Sequence, residues 1–236
     1  MEDNKVTHRT IAGFYNTEYY RDAGLRPATQ YDYHDLLARL HLRAEDRVLD
    51  IACGTGNWLA VADQHSKHIF GLDISETALG VCRTRLPGSG ICAGLGEKLP
   101  FADANFDVIT CLGSLEHFLD QGQALREICR VAKDGARIVI LVPNAGFLTY
   151  RLGLYRGTDQ SRVRETIRSI SDWQDLFEQS GLVVTERWAD MHVLDRNWIM
   201  RGNWYRIPLR ALQAIMLLIW PLQWQYQVNF LCRLKR

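Results

Sequence analysis

The chain has 236 residues, with 28 Lys and Arg against 27 Asp and Glu, for a formal net charge of +1. That length suits one domain whose core needs no disulfide or metal staple, and the charge balance excludes the strong basic excess of a dedicated nucleic-acid binder. The balance is the sum of two unlike parts: residues 1–136 carry 14 basic and 19 acidic side chains, net −5, and residues 137–236 carry 14 and 8, net +6.

Residues 1–30 are polar, with a tyrosine cluster at Tyr15, Tyr19 and Tyr20. Leu36, Leu37 and Leu40 at helical spacing predict a helix within residues 32–42. Arg47 to Ala52 reads as a buried strand ending in a glycine turn, and Asn57 to Gln64 as the helix that follows. His68 to Asp73 is a second strand. Ser75 is a favourable N-cap for a helix reaching Arg85. A weak third strand lies at Gly90–Ala93 and a fourth at Phe106–Cys111. Gln121 to Ala132 is a helix closed by Asp134-Gly135, and Arg137 to Val142 is a fifth strand stopped by Pro143. Strands alternating with helices of about ten residues are the βαβ pattern of a parallel sheet covered on both faces. After Pro143 the rhythm changes, and residues 144–168 are Arg-rich and irregular. Ser171-Asp172 reads as the cap of a helix reaching Gln179 and ended by Ser180-Gly181. Leu182 to Trp188 is a sixth strand, residues 189–223 a long insertion, and Gln225 to Leu234 a final strand.

The six cysteines show no C-x-x-C pair, and no Cys/His cluster has zinc-ligand spacing, so no metal site is expected. Their placement in apolar runs reads as buried free thiols in a reducing compartment. The N-terminal MEDNKVTHRT lacks the apolar region of a signal peptide. The longest apolar stretch, Ala211 to Leu222, is interrupted by Gln213 and Pro221. It falls short of the roughly 20 residues a membrane-spanning helix needs. A cytoplasmic protein is expected, with a membrane contact from that side left open.

The strongest chemical signal is VLDIACGTGNW, residues 48–58. Glycines let the backbone turn sharply and approach a ligand closely, and the following helix presents unpaired N–H groups. Asp73 ends the next strand, where its carboxylate can accept two hydroxyl hydrogen bonds from a ribose. A nicotinamide dinucleotide needs G-x-G-x-x-G. Here Leu59 replaces the third glycine, which disfavours a dehydrogenase. A carboxylate at Asp50, inside the first strand, suits a cationic amino-acid moiety better than a pyrophosphate. That points to S-adenosylmethionine, which carries an ammonium and a sulfonium.

With these segments in place, the chain resembles the class I S-adenosylmethionine-dependent methyltransferases, in the broad subgroup that includes the quinone-biosynthesis enzymes. VLDIACGTG (48–56) resembles the first family motif and GLDIS (71–75) the second. GEKLPFADANFDVIT (96–110), CLGSLEHFLD (111–120) and GARIVILVPN (135–144) resemble the acidic loop with the fourth strand, the active-site segment and the fifth strand. The match is good over residues 45–145 and weaker at the final strand. It implies one α/β domain over residues 1–236. The fold would be a Rossmann-like, doubly wound, three-layer structure around a seven-strand mixed sheet with an antiparallel last strand. Residues 1–44 would be a lid or packed helices, 45–145 the cofactor-binding core, and 189–223 a cap inserted between the last two strands. The resemblance places Asp50, Ala52, Gly54, Thr55, Gly56, Asp73, Ile74, Gly96, Glu97 and Leu112 around S-adenosylmethionine. Asp50 would meet the ammonium directly or through water, and Asp73 the ribose. Two positions depart from the family. Ala52 stands where glycine is frequent, and Leu95 stands where an Asp binds the adenine amino group. Backbone groups of Leu95 and Gly96 would then serve adenine, with Glu97 either a helper or a structural residue.

Methyl transfer from a sulfonium is an in-line displacement in which the enzyme mainly supplies proximity and alignment. A base is needed only where the acceptor loses a proton. His117, after the fourth strand at the edge where ligands bind in such sheets, is the candidate for a phenol or enol proton. The other reading is a pocket-lining or capping histidine. Glu116 reads as a local cap or pairing partner, and His65 and His68 lie in a polar loop unsuited to a metal. The tyrosines form either a lid over the cofactor or a packed amphipathic helix. In the insertion region, Trp188, Trp198, Trp204, Trp220 and Trp224 interleave with Arg187, Arg196, Arg201, Arg206 and Arg210. Pro208 can open a helix at Leu209, and Ala211 to Trp220 is apolar nearly all round. This suits a cap on the sheet edge, a holder for an anionic or lipophilic acceptor, a dimer contact, or a membrane interface through residues 204–224. The expected partner is a small-molecule acceptor and no nucleic acid, with oligomeric state open. A rival is a non-catalytic protein of this fold that binds a partner through residues 189–223.

Overall fold

Apolar residues at successive positions of the central strands demand cover on both faces, and the fold provides it. The computed structural model describes residues 6–21, 33–153, 165–190 and 204–235. The N-terminal part holds α1 (His8–Phe14), which continues as one π-helical turn over Tyr15–Tyr19, and α2 (His34–Leu40). The alternating part follows as β1 (Arg47–Ile51), α3 (Asn57–Ala62), β2 (His68–Asp73), α4 (Glu76–Arg85), β3 (Gly90–Ala93) and β4 (Phe106–Leu112). A 3₁₀ turn at Leu115–His117 leads to α5 (Gln121–Val131) and β5 (Ala132–Pro143). Then come α6 (Leu148–Arg151), α7 (Ile170–Gln179), β6 (Leu182–Ala189), α8 (Ile207–Ile219) and β7 (Gln227–Leu234).

The seven strands form one sheet in the order β3-β2-β1-β4-β5-β7-β6. The strands β1 to β5 pair in parallel, and β7 runs antiparallel between β5 and β6. This is the doubly wound mixed sheet expected above, with its order reversing between β1 and β4, where the crevice of an open α/β sheet opens. Alternation along β5 sends Ile138, Ile140 and Val142 to one core and Val139 to the other. The first core holds Trp173 and Phe177 of α7 and Leu125 and Ile128 of α5. The second holds Leu40 of α2, Trp58 and Leu59 of α3, and Leu79 and Cys82 of α4. All six cysteines are free thiols, four of them buried.

Several boundaries differ from the sequence reading for local reasons. The strand β5 begins at Ala132, because Phe106 pairs with Ala132 before a register shift carries the ladder on to Arg137. Gly135, at φ +80°, sits inside that irregularity rather than in a turn outside the strand. The cap of α7 is Ser169, not Ser171: its side chain accepts from the Asp172 N–H, and Asp172 returns the bond in a capping box. The final strand starts at Gln227 because Pro221 leads into a 3₁₀ turn at Leu222–Trp224. Helix α8 begins at Ile207, which leaves Pro208 in its first turn, where no N–H partner is lost. Trp198, Arg196 and Arg201 lie outside the described residues. No helix among the described residues is long and apolar enough to cross a membrane.

Leu59 occupies the place of a third glycine, yet α3 still packs closely on the sheet. The room comes from β2. A Cβ at Gly71 would lie 2.7 Å from Leu59 Cδ1, 2.8 Å from Cys53 Sγ and 3.0 Å from Ile91 Cδ1. Gly71→Ala forces buried Leu59 and Cys53 and half-buried Ile91 to move and should cost about 1–3 kcal/mol. Urea unfolding measures it. Adding Leu59→Ala should recover part of the loss, seen as non-additivity in the double-mutant cycle.

Candidate active site

Strand β1 ends in a turn that only unusual backbone conformations can make. Ala52, Gly54 and Gly56 have φ of +59°, +54° and +75°. A left-handed conformation costs a non-glycine residue about 1–2 kcal/mol, which accounts physically for glycine being frequent at the Ala52 position. The Gly54 N–H donates to Asp73 Oδ2 at 2.8 Å, and the Ser75 N–H donates to Asp73 Oδ1 at 2.8 Å. Burial raises the Asp73 carboxyl above its usual range, and these amide donors oppose the shift. Ser75 then caps α4 as expected, accepting from the Ala78 N–H.

Asp50 lies deeper, 4% exposed. Thr110 Oγ1 on β4 donates to its Oδ1 at 2.6 Å. Burial, with the charge of Asp73 adding to it, pushes the Asp50 carboxyl up to about 7. Two buried carboxyls side by side at the carboxyl edge of the sheet make a site suited to a cationic ligand.

A cleft of about 610 Å³, mouth included, opens over this turn, a size usual for small-molecule sites. Of the residues expected around the cofactor, Ala52, Asp73, Ile74, Gly96 and Glu97 line it, and so does His117. Asp50, Gly54, Thr55 and Gly56 build the structure beneath the lining. The Gly56 position faces Cys82 Sγ, and the Thr55 carbonyl accepts from Arg85 Nη1 at 3.0 Å. Leu112 is not in the lining. Alternation along β4 places it with Val108 on the α3–α4 side, opposite Ile109 and Cys111.

Glu97 borders the cleft with one oxygen already committed. Its Oε1 accepts from the Leu119 N–H at 2.9 Å and the Asp120 N–H at 3.5 Å, and lies 3.3 Å from His8 Nε2. Glu97 thus ties the loop after β3 to the segment after β4. Gly96 makes the same junction possible, since a Cβ there would lie 2.4 Å from the Phe118 ring.

The N-terminal segment forms one wall. His8, Ile11, Tyr15 and Tyr20 line the cleft, and the Tyr20 hydroxyl sits 2.7 Å from where a Gly54 Cβ would be. Burial holds the Tyr15 and Tyr20 hydroxyls well above the usual phenol range, with Tyr19 and Glu116 adding to it at Tyr15 and Asp73 at Tyr20, so both stay protonated donors. Asn16 fixes the segment to α4. Its Oδ1 accepts from Ser75 Oγ at 2.8 Å and the Thr77 N–H at 3.2 Å, and its carbonyl accepts from Thr77 Oγ1 at 3.3 Å. Sequence reasoning missed His8, Ile11 and Asn16. The spacing of Ile11 and Tyr15 is a findable helical signal, whereas nothing local marks Asn16. After β4, Gly113 at φ +65° turns the chain, and the 3₁₀ turn presents His117, 6% exposed, to the cleft. Among the described residues, no cluster of His, Cys, Asp or Glu is arranged to hold a metal ion.

The "Methyltransferase domain" family model matches residues 49–140, which supply the cleft lining from Ala52 to Leu119. The chain is 31% identical over 199 residues to the "Uncharacterized methyltransferase YcgJ" of Bacillus subtilis, covering 80% of this chain and 77% of that protein. It is 32% identical over 178 residues to a demethylmenaquinone methyltransferase of Lactiplantibacillus plantarum, covering 61% of this chain and 73% of that one. The crystal structure of the Bacillus YcgJ protein superposes with a TM-score of 0.59 at 25% identity, covering 85% of this chain and 96% of that one.

The Asp50 carboxyl titrates near 7 when folded against 3.8 ordinarily. Its contribution to stability is therefore complete below about pH 4 and is lost as pH rises through about 7. Asp50→Asn removes that loss. Between pH 5 and 8 the ligand-free variant should lose less stability than wild type, and melt higher at pH 8. Thermal unfolding across this range measures it. A remaining slope belongs to the other buried carboxyls, Glu116, raised by burial to about 8, and Asp73, also raised by burial.

Proposed function

Because the chain belongs to the class I S-adenosylmethionine-dependent methyltransferases, we propose that it methylates a lipophilic small molecule of the reduced-quinone class. The observation that carries this reading is one cleft lined by Asp73 and His117, with buried Asp50 beneath its lining. The residues present fit the cofactor, since two buried carboxyls beside a glycine turn match a ligand with an ammonium, a sulfonium and a ribose. Bound there, S-adenosylmethionine supplies an electrophilic methyl group.

The chain's own residues bind, orient and exclude water. Asp50 takes the ammonium and Asp73 the ribose hydroxyls, with Ala52, Gly54, Thr55 and Gly56 beneath and Ile74 beside them. Backbone groups of Leu95 and Gly96 serve the adenine, and Glu97 holds that loop in place. Residues 8–20 act as a lid whose tyrosines close the cleft to water. His117 takes the hydroxyl proton of the acceptor, which raises the electron density of the ring to be methylated. The relative named as a demethylmenaquinone methyltransferase supports a quinone-like acceptor, and the other similar proteins named above favour neither the dehydrogenase nor the non-catalytic reading.

The acceptor class also gives α8 a role. Trp204 is 80% exposed and Ile219 72%, with Tyr205, Ile215 and Leu218 exposed between them. Apolar and aromatic side chains on a net-basic half of the chain suit an anionic lipid surface, where a cytoplasmic enzyme would meet a lipophilic quinol.

Radiolabelled donor and a short-chain 2-alkyl-1,4-naphthalenediol should yield a labelled, extractable product. His117→Ala should lower kcat by about 10²–10⁴-fold at saturating donor. Absence of product from that acceptor and from its benzenediol counterpart would sink the acceptor class, and unchanged kcat would sink the base role. The protein should sediment with vesicles containing phosphatidylglycerol, and Trp204→Ala with Ile219→Ser should weaken that binding. Recovery entirely in the supernatant would remove the membrane contact.

A further inference from the structure

Glu116 is buried, 3% exposed, immediately beside His117. Its Oε1 lies 3.8 Å from His117 Nε2, and its Oε2 has no hydrogen-bond partner among the described residues. An unpaired buried polar atom costs about 1–3 kcal/mol. A capping role does not account for that cost. Asp120 caps α5 by accepting from the Gln123 N–H at 2.8 Å, and Gln121 Nε2 donates to the Leu115 carbonyl at 3.2 Å. The Glu116 backbone carbonyl accepts from the Thr166 N–H at 2.9 Å. The turn is therefore held by several bonds besides the carboxyl's own contact with the Glu116 backbone N–H, and Glu116 pairs locally with His117.

We propose that Glu116 is a positioning residue for His117: its carboxylate fixes the ring tautomer and balances the charge gained when the imidazole takes the acceptor's hydroxyl proton. This rests on the reading of His117 as the base. Once the approach closes so that Nε2–H donates to Glu116, the neutral tautomer carries its basic lone pair on Nδ1. The acceptor's O–H bond breaks, its electron pair stays on oxygen, and the proton goes to Nδ1. Glu116 offsets the resulting imidazolium in a site from which water is excluded. A third group orienting a base in this way is the general logic of catalytic triads, and such contacts are commonly long in the ligand-free state and tighten with substrate.

The groups facing the carboxyl are His117 on its own turn, Cys111 on β4, Tyr15 on the N-terminal segment and Glu165 before α7. Burial, with Glu165 adding to it, pushes Glu116 up to about 8. The competent form, with Glu116 ionised and His117 neutral, therefore fills as pH rises through about 8.

Two readouts test this. In wild-type protein, the ¹⁵N side-chain signals of His117 should step near pH 8 as Glu116 ionises, and in Glu116→Gln that step should be absent. With saturating donor and the short-chain naphthalenediol, wild-type kcat should rise through pH 8. Glu116→Gln should be about 10–100-fold slower and flat over that range, with donor affinity by calorimetry within twofold of wild type. A wild-type His117 signal with no step near pH 8 overturns the proposal without any variant or acceptor. An unchanged pH profile in Glu116→Gln, where His117→Ala is impaired, overturns the proposal and leaves the base reading standing. Full activity in His117→Ala overturns both.

Discussion

One hydrogen bond organises the site: the Gly54 N–H to Asp73 Oδ2, at 2.8 Å. It joins the turn after β1 to the end of β2, two strands already paired from Arg47–His68 to Ile51–Leu72. The other oxygen of the same carboxyl accepts from Ser75 and so fixes where α4 begins. One side chain thus sets the turn, the end of β2, and the start of the helix that Asn16 grips. The left-handed residues of the turn are tolerable because this bond and the close packing of Leu59 on Gly71 leave the chain no cheaper path.

The carboxyl groups sort by direction of shift, and the sorting follows the sheet. Asp107, near the start of β4, is lowered by Lys133 at 2.7 Å and the Arg47 N–H, and Glu127 is lowered by Arg130. These acids are partly exposed, cation-paired and structural. Asp50, Asp73 and Glu116 are raised by burial and stand at or beyond the carboxyl edge. A fold gains nothing by desolvating an acid that it could have paired. Raised acids concentrated at one edge are what a ligand-binding site looks like before its ligand arrives.

The parallel core was legible in the sequence because its signals are local. The run from Arg47 to Gly56, the Ser75 cap and the strand at His68–Asp73 each follow from a few adjacent residues. What escaped depends on distant partners. The start of β5 is set by Phe106, and the cap of α7 by the extended backbone at Ser169. Leu112 read as a cofactor residue by family position, but strand alternation turns it away from the cleft lining. Leu59 read as a missing glycine, and only β2, 12 positions further on, shows where the space was made. Glu97 was left between two roles, and its bonds to Leu119 and Asp120 show one oxygen engaged in holding the loops while the residue still borders the cleft.

The N-terminal wall differs in kind from the rest of the cleft. The other walls are strand ends and turns held by the sheet ladder. Residues 8–20 carry no strand and are held by the Asn16 bonds, the His8–Glu97 contact and aromatic edges such as Tyr19–Tyr20 at 4.8 Å. Each neutral bond of this type is worth about 0.5–1.5 kcal/mol, so the sum is small beside the energy that holds the sheet together. The Tyr20 hydroxyl lies against the open face of Gly54. A ligand that reaches that face must displace it. The wall against Gly54 is therefore the part of the site held least firmly, while Asp50 and Asp73 are carried on strands of the sheet.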